Sequence, residues 1–238
     1  MRLGTYGEGF KGDDPMFILS DRFEKALCLA CELHRFQKRK NLPTPFLSHI
    51  LSVVSLVCEN VELVVDGMPP SRGFLEWALP VSDEEKMRSR LCEDYAIMAA
   101  LHDAVEDQGG RETLEKIASQ FGQRIADGVL MLSDCIPEKG QEKPPKAQRN
   151  AAYQRKMEEA DPAVVLISCC DKIHNLRSIV GDYLNSGVDI WTAYSQSPEK
   201  TVENYERLYE LYKKRLPNHR VIVLYRRALD DVRAIMPM

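Results

Sequence analysis

The stretch from Tyr95 to Gln108, YAIMAALHDAVEDQ, sets an apolar run directly against His102, Asp103, Glu106 and Asp107. Ser82 followed by Glu85 is a capping-box pattern, and Gly109-Gly110 is a stop, so one long helix is expected between them. A helix advances about 100° per residue. His102 and Glu106 therefore share one face in this reading, and Asp103 and Asp107 the adjacent one. Burying such groups unpaired would cost several kcal/mol each, so a counter-charge is required. A metal ion is the economical partner, because an exposed helix end accounts for Glu106 and Asp107 but poorly for an HD pair straight after AIMAAL.

Helical periodicity extends in both directions from this segment. Asp21 with Glu24 opens a first helix, along which Phe23, Leu27, Ala30 and His34 repeat at helical spacing. A second begins near Pro45 and runs through HILSVVSLV. Further patterns cover 111–121, 123–132, 147–160, 162–180, 197–216 and 220–235. VELVV at 61–65 is the one short β-branched run, and a single strand has nothing to pair with. The expected fold is all-α, a helical bundle of about eight to ten helices.

Composition narrows the function classes. With 238 residues, a chain buries roughly 70% of its unfolded surface, so folding needs no disulfide or metal staple. Lys and Arg number 32 against 36 Asp and Glu, a net charge of -4 that argues against a globally basic nucleic-acid binder. The seven cysteines are an odd count, and the polar, Gly-rich start MRLGTYGEGFKGDDP is unlike a signal peptide. A reducing, cytoplasmic compartment is expected. The longest stretch free of Asp, Glu, Lys and Arg, residues 41–58, contains prolines and a histidine and makes a poor membrane span. Cys28 and Cys31 form a lone CxxC, read as small apolar core residues one helical turn apart.

Further ligands are sought outside the first stretch. His49 lies in the apolar context FLSHILSVV, and Asp171 follows a mostly apolar run in VVLISCCDKIHNLR. An acid buried on such a helix must pair with a cation or ligate a metal. Together His49, His102, Asp103 and Asp171 make a mixed N/O set that suits Mn²⁺, Fe²⁺, Co²⁺ or Zn²⁺ with positions open to water. Two segments read as loops, 66–81 with its prolines and glycines, and 137–146 (PEKGQEKPPK). The second is either a solvated connector or a cationic flap over an anionic substrate.

The order H…HD…D resembles the HD-domain metal-dependent phosphohydrolases. More narrowly, HRFQKRKNLPTPFLSH, LHDAVED and DKIHNLR resemble three blocks of the hydrolase domain of Rel/Spo-type alarmone enzymes and small alarmone hydrolases. The resemblance covers about residues 17–194. It implies a single HD-type hydrolase domain over 1–238, with residues 195–238 a C-terminal helical extension packed on that core. It further implies that His49, His102, Asp103 and Asp171 bind the metal, Mn²⁺ in characterised relatives, and that Glu106 and Asp107 orient or activate the attacking water. Arg39 and Lys40 are implied at the mouth against nucleotide and phosphates, Asn175 against the ribose and Ser178 against the base. Arg149 and Tyr153 fall where relatives carry substrate-side residues. His174 is expected to be a structural helix residue. Ile50, where relatives carry Pro, and Cys170, where they carry Ala, are departures that remove no ligand. An extra residue between Arg39 and His49 shifts the mouth pair relative to the family.

The implied activity is hydrolysis of guanosine 3′,5′-bis(diphosphate) at the ribose 3′ position, releasing pyrophosphate. The implied partner is thus a nucleotide carrying a 3′-diphosphate, with no nucleic acid and no membrane. Alarmone synthesis is not expected, since it needs several hundred more residues. Two alternatives stand beside this: an HD phosphohydrolase acting on another nucleotide, such as an NADPH 2′-phosphatase, and a non-catalytic nucleotide-binding HD module.

Overall fold

In the computed structural model, residues 17–40, 43–65, 84–136, 143–186, 190–192 and 194–237 are described. Helix boundaries follow local capping chemistry. The Ser20 hydroxyl accepts from the Arg22 N–H and opens α1 (Asp21–Leu33). Helix α2 (Leu47–Cys58) is followed by the single turn α3 (Glu62–Val65), and α4 (Glu84–Leu101) by the single turn α5 (Ala104–Asp107). Gly109, at φ 90°, takes the left-handed conformation needed to turn into α6 (Gly110–Phe121). Then come α7 (Gln123–Leu132), α8 (Lys146–Glu159) and α9 (Pro162–Ser186), whose first turn is capped by Asp161 accepting from the Ala163 N–H at 2.7 Å. Ser197 caps α10 (Pro198–Arg215) and His219 caps α11 (Arg220–Ala234).

The fold is all-α, and the sole β contact among the described residues is an isolated bridge between Lys38 and Pro45. Helices α4 and α9 form its centre. Tyr95 to Leu101 and Ala163 to Ile167 are buried around the whole helix circumference, as expected of elements packed on every side. Helices α1, α2 and α7 pack on α4, while α2, α10 and α11 pack on α9. Helix α11 lies along α9 with Val221, Tyr225, Leu229 and Val232 buried, and the Arg220 guanidinium donates to Asn60 Oδ1 at 2.7 Å. No helix among the described residues is long and apolar enough to cross a membrane.

Helices α4 and α7 meet at Gly128, where a Cβ would run into the Met98 thioether. The close approach leaves room for hydrogen alone. Gly128→Val is expected to destabilise the protein by about 1–3 kcal/mol through overpacking, read as a lowered urea midpoint with an unchanged slope.

VELVV forms no strand, in line with its having nothing to pair with: its residues 62–65 make the helical turn α3, with the Val61 carbonyl accepting from Val64 and Val65. Several sequence expectations need correction. The helix expected through Gln108 ends at Leu101 and resumes only at Ala104. The His102 ring donates from Nδ1 to the Ala99 carbonyl at 2.8 Å, so a side chain occupies an acceptor at the helix end. His102 and Glu106 therefore do not share a helical face. Helix α9 runs on to Ser186, beyond the expected end at Val180. Lys146 begins α8 rather than ending a loop. Cys28 is exposed and Cys31 half-buried, so the CxxC pair is not core. Ser82 of the expected capping box, the segment 66–81 and residues 137–142 lie outside the described residues.

Candidate functional site

The break between α4 and α5 aims two side chains at one point. Asp103 sits at φ -97°, ψ -4°, in the sparsely populated bridge region that redirects the chain. Helix α2 brings His49, near its first turn, and α9 brings Asp171 from its buried middle. His49 Nε2 lies 3.1 Å from His102 Nε2, 3.4 Å from Asp103 Oδ2 and 3.3 Å from Asp171 Oδ1. His102 Nε2 lies 2.9 Å from Asp103 Oδ2 and 3.9 Å from Asp171 Oδ1. Two imidazoles and two carboxylates from three separate helical segments thus converge.

The donor chemistry fits a divalent cation. With Nδ1–H committed to Ala99, the neutral His102 ring turns a lone pair on Nε2 towards the centre. Two inward lone pairs 3.1 Å apart repel unless a cation lies between them, and in the metal-free protein a proton serves. Burial opposes charge on His102, yet the carboxylates of Asp103 and Asp171 outweigh it and raise its pKa to about 9. Burial likewise works to raise both acids, but His102 holds Asp103 well below the usual carboxylate range, and Lys172 with the histidines does so for Asp171. His49, His102 and Asp103 could hold a metal, with Asp171 beside them. The buried carboxylates Glu93 and Asp94 make a useful contrast, because Arg22 answers both of them. No arginine answers Asp103 in that way among the ion pairs described.

Above the convergence point opens a cavity of about 350 Å³, within the size range of small-molecule sites. Glu106 and Asp107 both line it but stand in different surroundings. Glu106 Oε2 accepts from the Asp134 N–H at 3.1 Å and Oε1 from Lys143 Nζ at 3.2 Å. Burial, then the charge of Asp134, pushes Glu106 up to about 7. Asp107 is more open and accepts from Gln37 Nε2 at 2.7 Å. Its pKa is raised by withdrawal from water and by Asp103, with the Gln37 donor working the other way.

Of the expected substrate-side residues, Arg39 and Lys40 line the cavity, Arg39 beside the Phe46 ring and Lys40 over the Tyr194 ring. Asn175 also lines it, but its amide is engaged at both ends. It donates to Asp171 Oδ1 at 2.5 Å and accepts from Arg39 at 3.0 Å, linking mouth to centre. Tyr153 forms part of the wall, while its hydroxyl points into the core against Ser168, which in turn bonds Tyr212. Ser178 bonds its own helix at the His174 carbonyl, and Arg149 pairs with Asp134 and the Pro144 carbonyl; neither is among the lining residues. His174 sits with Nδ1 2.8 Å from His49 Nδ1. Burial, then His49 and Arg39, lowers its pKa to about 4, so it stays neutral.

Sequence reasoning assigned no role to Lys172, Asp134, Thr201 or Asn204, all of which line the cavity. Lys172 Nζ reaches Asp171 Oδ2 at 2.5 Å and lies over the Tyr153 ring. Asp134 gathers Lys146 and Arg149 beside Glu106. Thr201 and Asn204 come from α10, so the C-terminal segment supplies one wall. Only the odd placement of Lys172 beside Asp171 left a local trace; the others carry no spacing signal.

Residues 85–192 match the family model of the HD domain. Among solved structures, the chain is similar to a metazoan ortholog of SpoT that hydrolyzes ppGpp and plays a role in starvation responses. That match has 19% sequence identity and a TM-score of 0.57, covering 91% of this chain and 98% of that one. It is also similar to lmo0812 from Listeria monocytogenes EGD-e, with 17% identity and a TM-score of 0.51, covering 79% of this chain and 97% of that one. No curated protein matches the sequence. At these identities the likeness is one of fold.

Proposed function

We propose that this chain is a Mn²⁺-dependent phosphohydrolase that cleaves guanosine 3′,5′-bis(diphosphate) with water into GDP and pyrophosphate. The observation that carries the reading is the convergence of His49, His102, Asp103 and Asp171 beneath a cavity lined by three further carboxylates, Glu106, Asp107 and Asp134, and by four cations. The SpoT ortholog with a similar fold hydrolyzes ppGpp, which supports this choice of substrate. The nucleotide is the expected partner, the cytoplasm the expected compartment. Residues 1–238 are taken as one hydrolase domain, with α10 and α11 an extension that helps to wall the site.

His49, His102, Asp103 and Asp171 would hold the ion, which when bound polarises a phosphoryl oxygen and lowers the pKa of water. Glu106, poised near 7, can take or return a proton close to neutral pH. Lys143 limits the charge that builds there. Arg39, Lys40, Lys146 and Lys172 offset the phosphates' negative charge, without which the site carboxylates would repel the substrate. Asn175 transmits the position of Asp171 to Arg39, so phosphate contacts and centre are set together.

Purified protein with Mn²⁺ should release one pyrophosphate per guanosine 3′,5′-bis(diphosphate) and show little turnover of NADPH. Orthophosphate from NADPH with no pyrophosphate from the alarmone would transfer the assignment to a different nucleotide. Binding of both without cleavage of either would make the chain a binding module.

A further inference from the structure

Two neighbours of Gln37, the buried His34 and the half-buried Gln108, fix its amide. Its Oε1 accepts from His34 Nδ1 at 2.6 Å and from Gln108 Nε2 at 2.8 Å, leaving Nε2 to donate to Asp107 Oδ2 at 2.7 Å. Flipping the amide would set an acceptor against the Asp107 carboxylate and an NH₂ against two donors, so one orientation is enforced. The lock is itself supported. His34 is 1% exposed and stacked on Phe46 at 5.1 Å, and Phe46 in turn packs edge-on to His49. Backbone bonds from Gln37 N–H to the His34 carbonyl and from Phe46 N–H to the Gln37 carbonyl close the turn.

Asp107 is exposed at the pocket and ends the one-turn helix α5, and its carboxylate accepts from Gln37. A carboxylate in that position samples several rotamers unless a fixed donor selects one. We infer that Gln37, locked by His34 and Gln108, is the positioning residue for Asp107, so that the rate of turnover rather than substrate or metal affinity depends on it. This rests on the reading of Asp107 as a catalytic group. It joins the first sequence block to the second through an amide with no chemistry of its own.

Gln37→Leu is the main test, with Gln37→Met as a closer shape match. Misplacing a catalytic group costs about 10- to 100-fold, so kcat should fall by that factor while KM and the Mn²⁺ dissociation constant stay within twofold. In an Asp107→Asn background, the same substitution should cost less than twofold more. His34→Phe, which keeps the stacked ring but removes one donor, should lose less than Gln37→Leu. Unchanged kcat, an equal loss in both backgrounds, weakened Mn²⁺ binding, or failure of both Gln37 variants to fold would each overturn the inference. Full kcat in Asp107→Asn alone would instead remove the reading of Asp107 on which it depends.

A substrate-free measurement checks the bond directly. The Gln37 side-chain NH₂ should give two resolved, slowly exchanging proton resonances, one moving upfield in Asp107→Ala. A fast-exchanging NH₂ that ignores this substitution would overturn the inference even if no substrate were turned over.

Discussion

His102→Ala is expected to abolish both metal retention and turnover. His102 is one of the two nitrogen donors of the centre, 2.9 Å from Asp103 and 3.1 Å from His49, with its Nε2 turned inward by the Ala99 carbonyl. Its removal takes away one of two nitrogen donors and leaves Asp103 and Asp171 facing each other with His49 alone between them. Loss of an outer hydrogen-bond partner of a metal ligand already costs about 10- to 100-fold in affinity. Loss of the ligand itself should exceed about 100-fold in Mn²⁺ binding. Several kcal/mol of transition-state stabilisation depend on such an ion, so kcat should fall by about 10³-fold or more. Chelation of the wild-type protein should reproduce the loss and added Mn²⁺ should reverse it, whereas the variant should stay inactive. Elemental analysis showing one equivalent of metal in an active variant would remove this centre from the mechanism. Asp107→Ala makes the comparison, since it should slow turnover with the metal still bound.

Glu106→Gln should inactivate the enzyme and yet stabilise the metal-free protein at high pH. Burial and Asp134 raise the folded-state pKa of Glu106 to about 7, against about 4.3 for an unperturbed glutamate. At pH 4 the carboxyl is mostly protonated folded or unfolded, and the substitution should be nearly neutral. Between about 4.3 and 7 the folded state keeps a proton that the unfolded state has lost, so wild-type stability falls as pH rises. Above 7 the cost is complete, on the order of 3–4 kcal/mol. Gln keeps an acceptor for the Asp134 N–H without that charge. Urea denaturation of both proteins, chelated, at pH 5 and pH 8 reads the difference. An equal stability gap at both values would show that ionisation of Glu106 is not its source. The wild-type kcat should rise with pH as Glu106 ionises, and the bound ion should move that limb below 7.

Much of the fold was legible because helix formation is a local matter. Apolar spacing at 162–180 and start signals such as Asp21 with Glu24 act over one or two turns, and the all-α class followed from them. VELVV, a β-branched run with no partner strand, closes a helical turn after α2. The misreading occurred where distant contacts outweighed local pattern. The helix expected through Gln108 breaks because the His102 ring takes the Ala99 carbonyl as its neighbours draw Nε2 inward. That break is what separates Glu106 from His102 and gives the two carboxylates of LHDAVED unlike surroundings.

From sequence alone, the residue types of the centre and their assignment to helices could be read. An acid after a buried apolar run, or an HD pair after AIMAAL, already demands a cation because burial of charge is costly wherever the chain goes. Their meeting point could not be read. His49 and His102 are 53 residues apart, and Arg39 and Asn175 are 136 apart. Tertiary structure decided that Asn175 spends its amide on Asp171 and Arg39, that the Tyr153 hydroxyl turns to the core, and that α10 walls the pocket. Propensity and capping act within a turn or two of helix, while a site's geometry is set by helices packed side by side, and no local spacing encodes which faces meet.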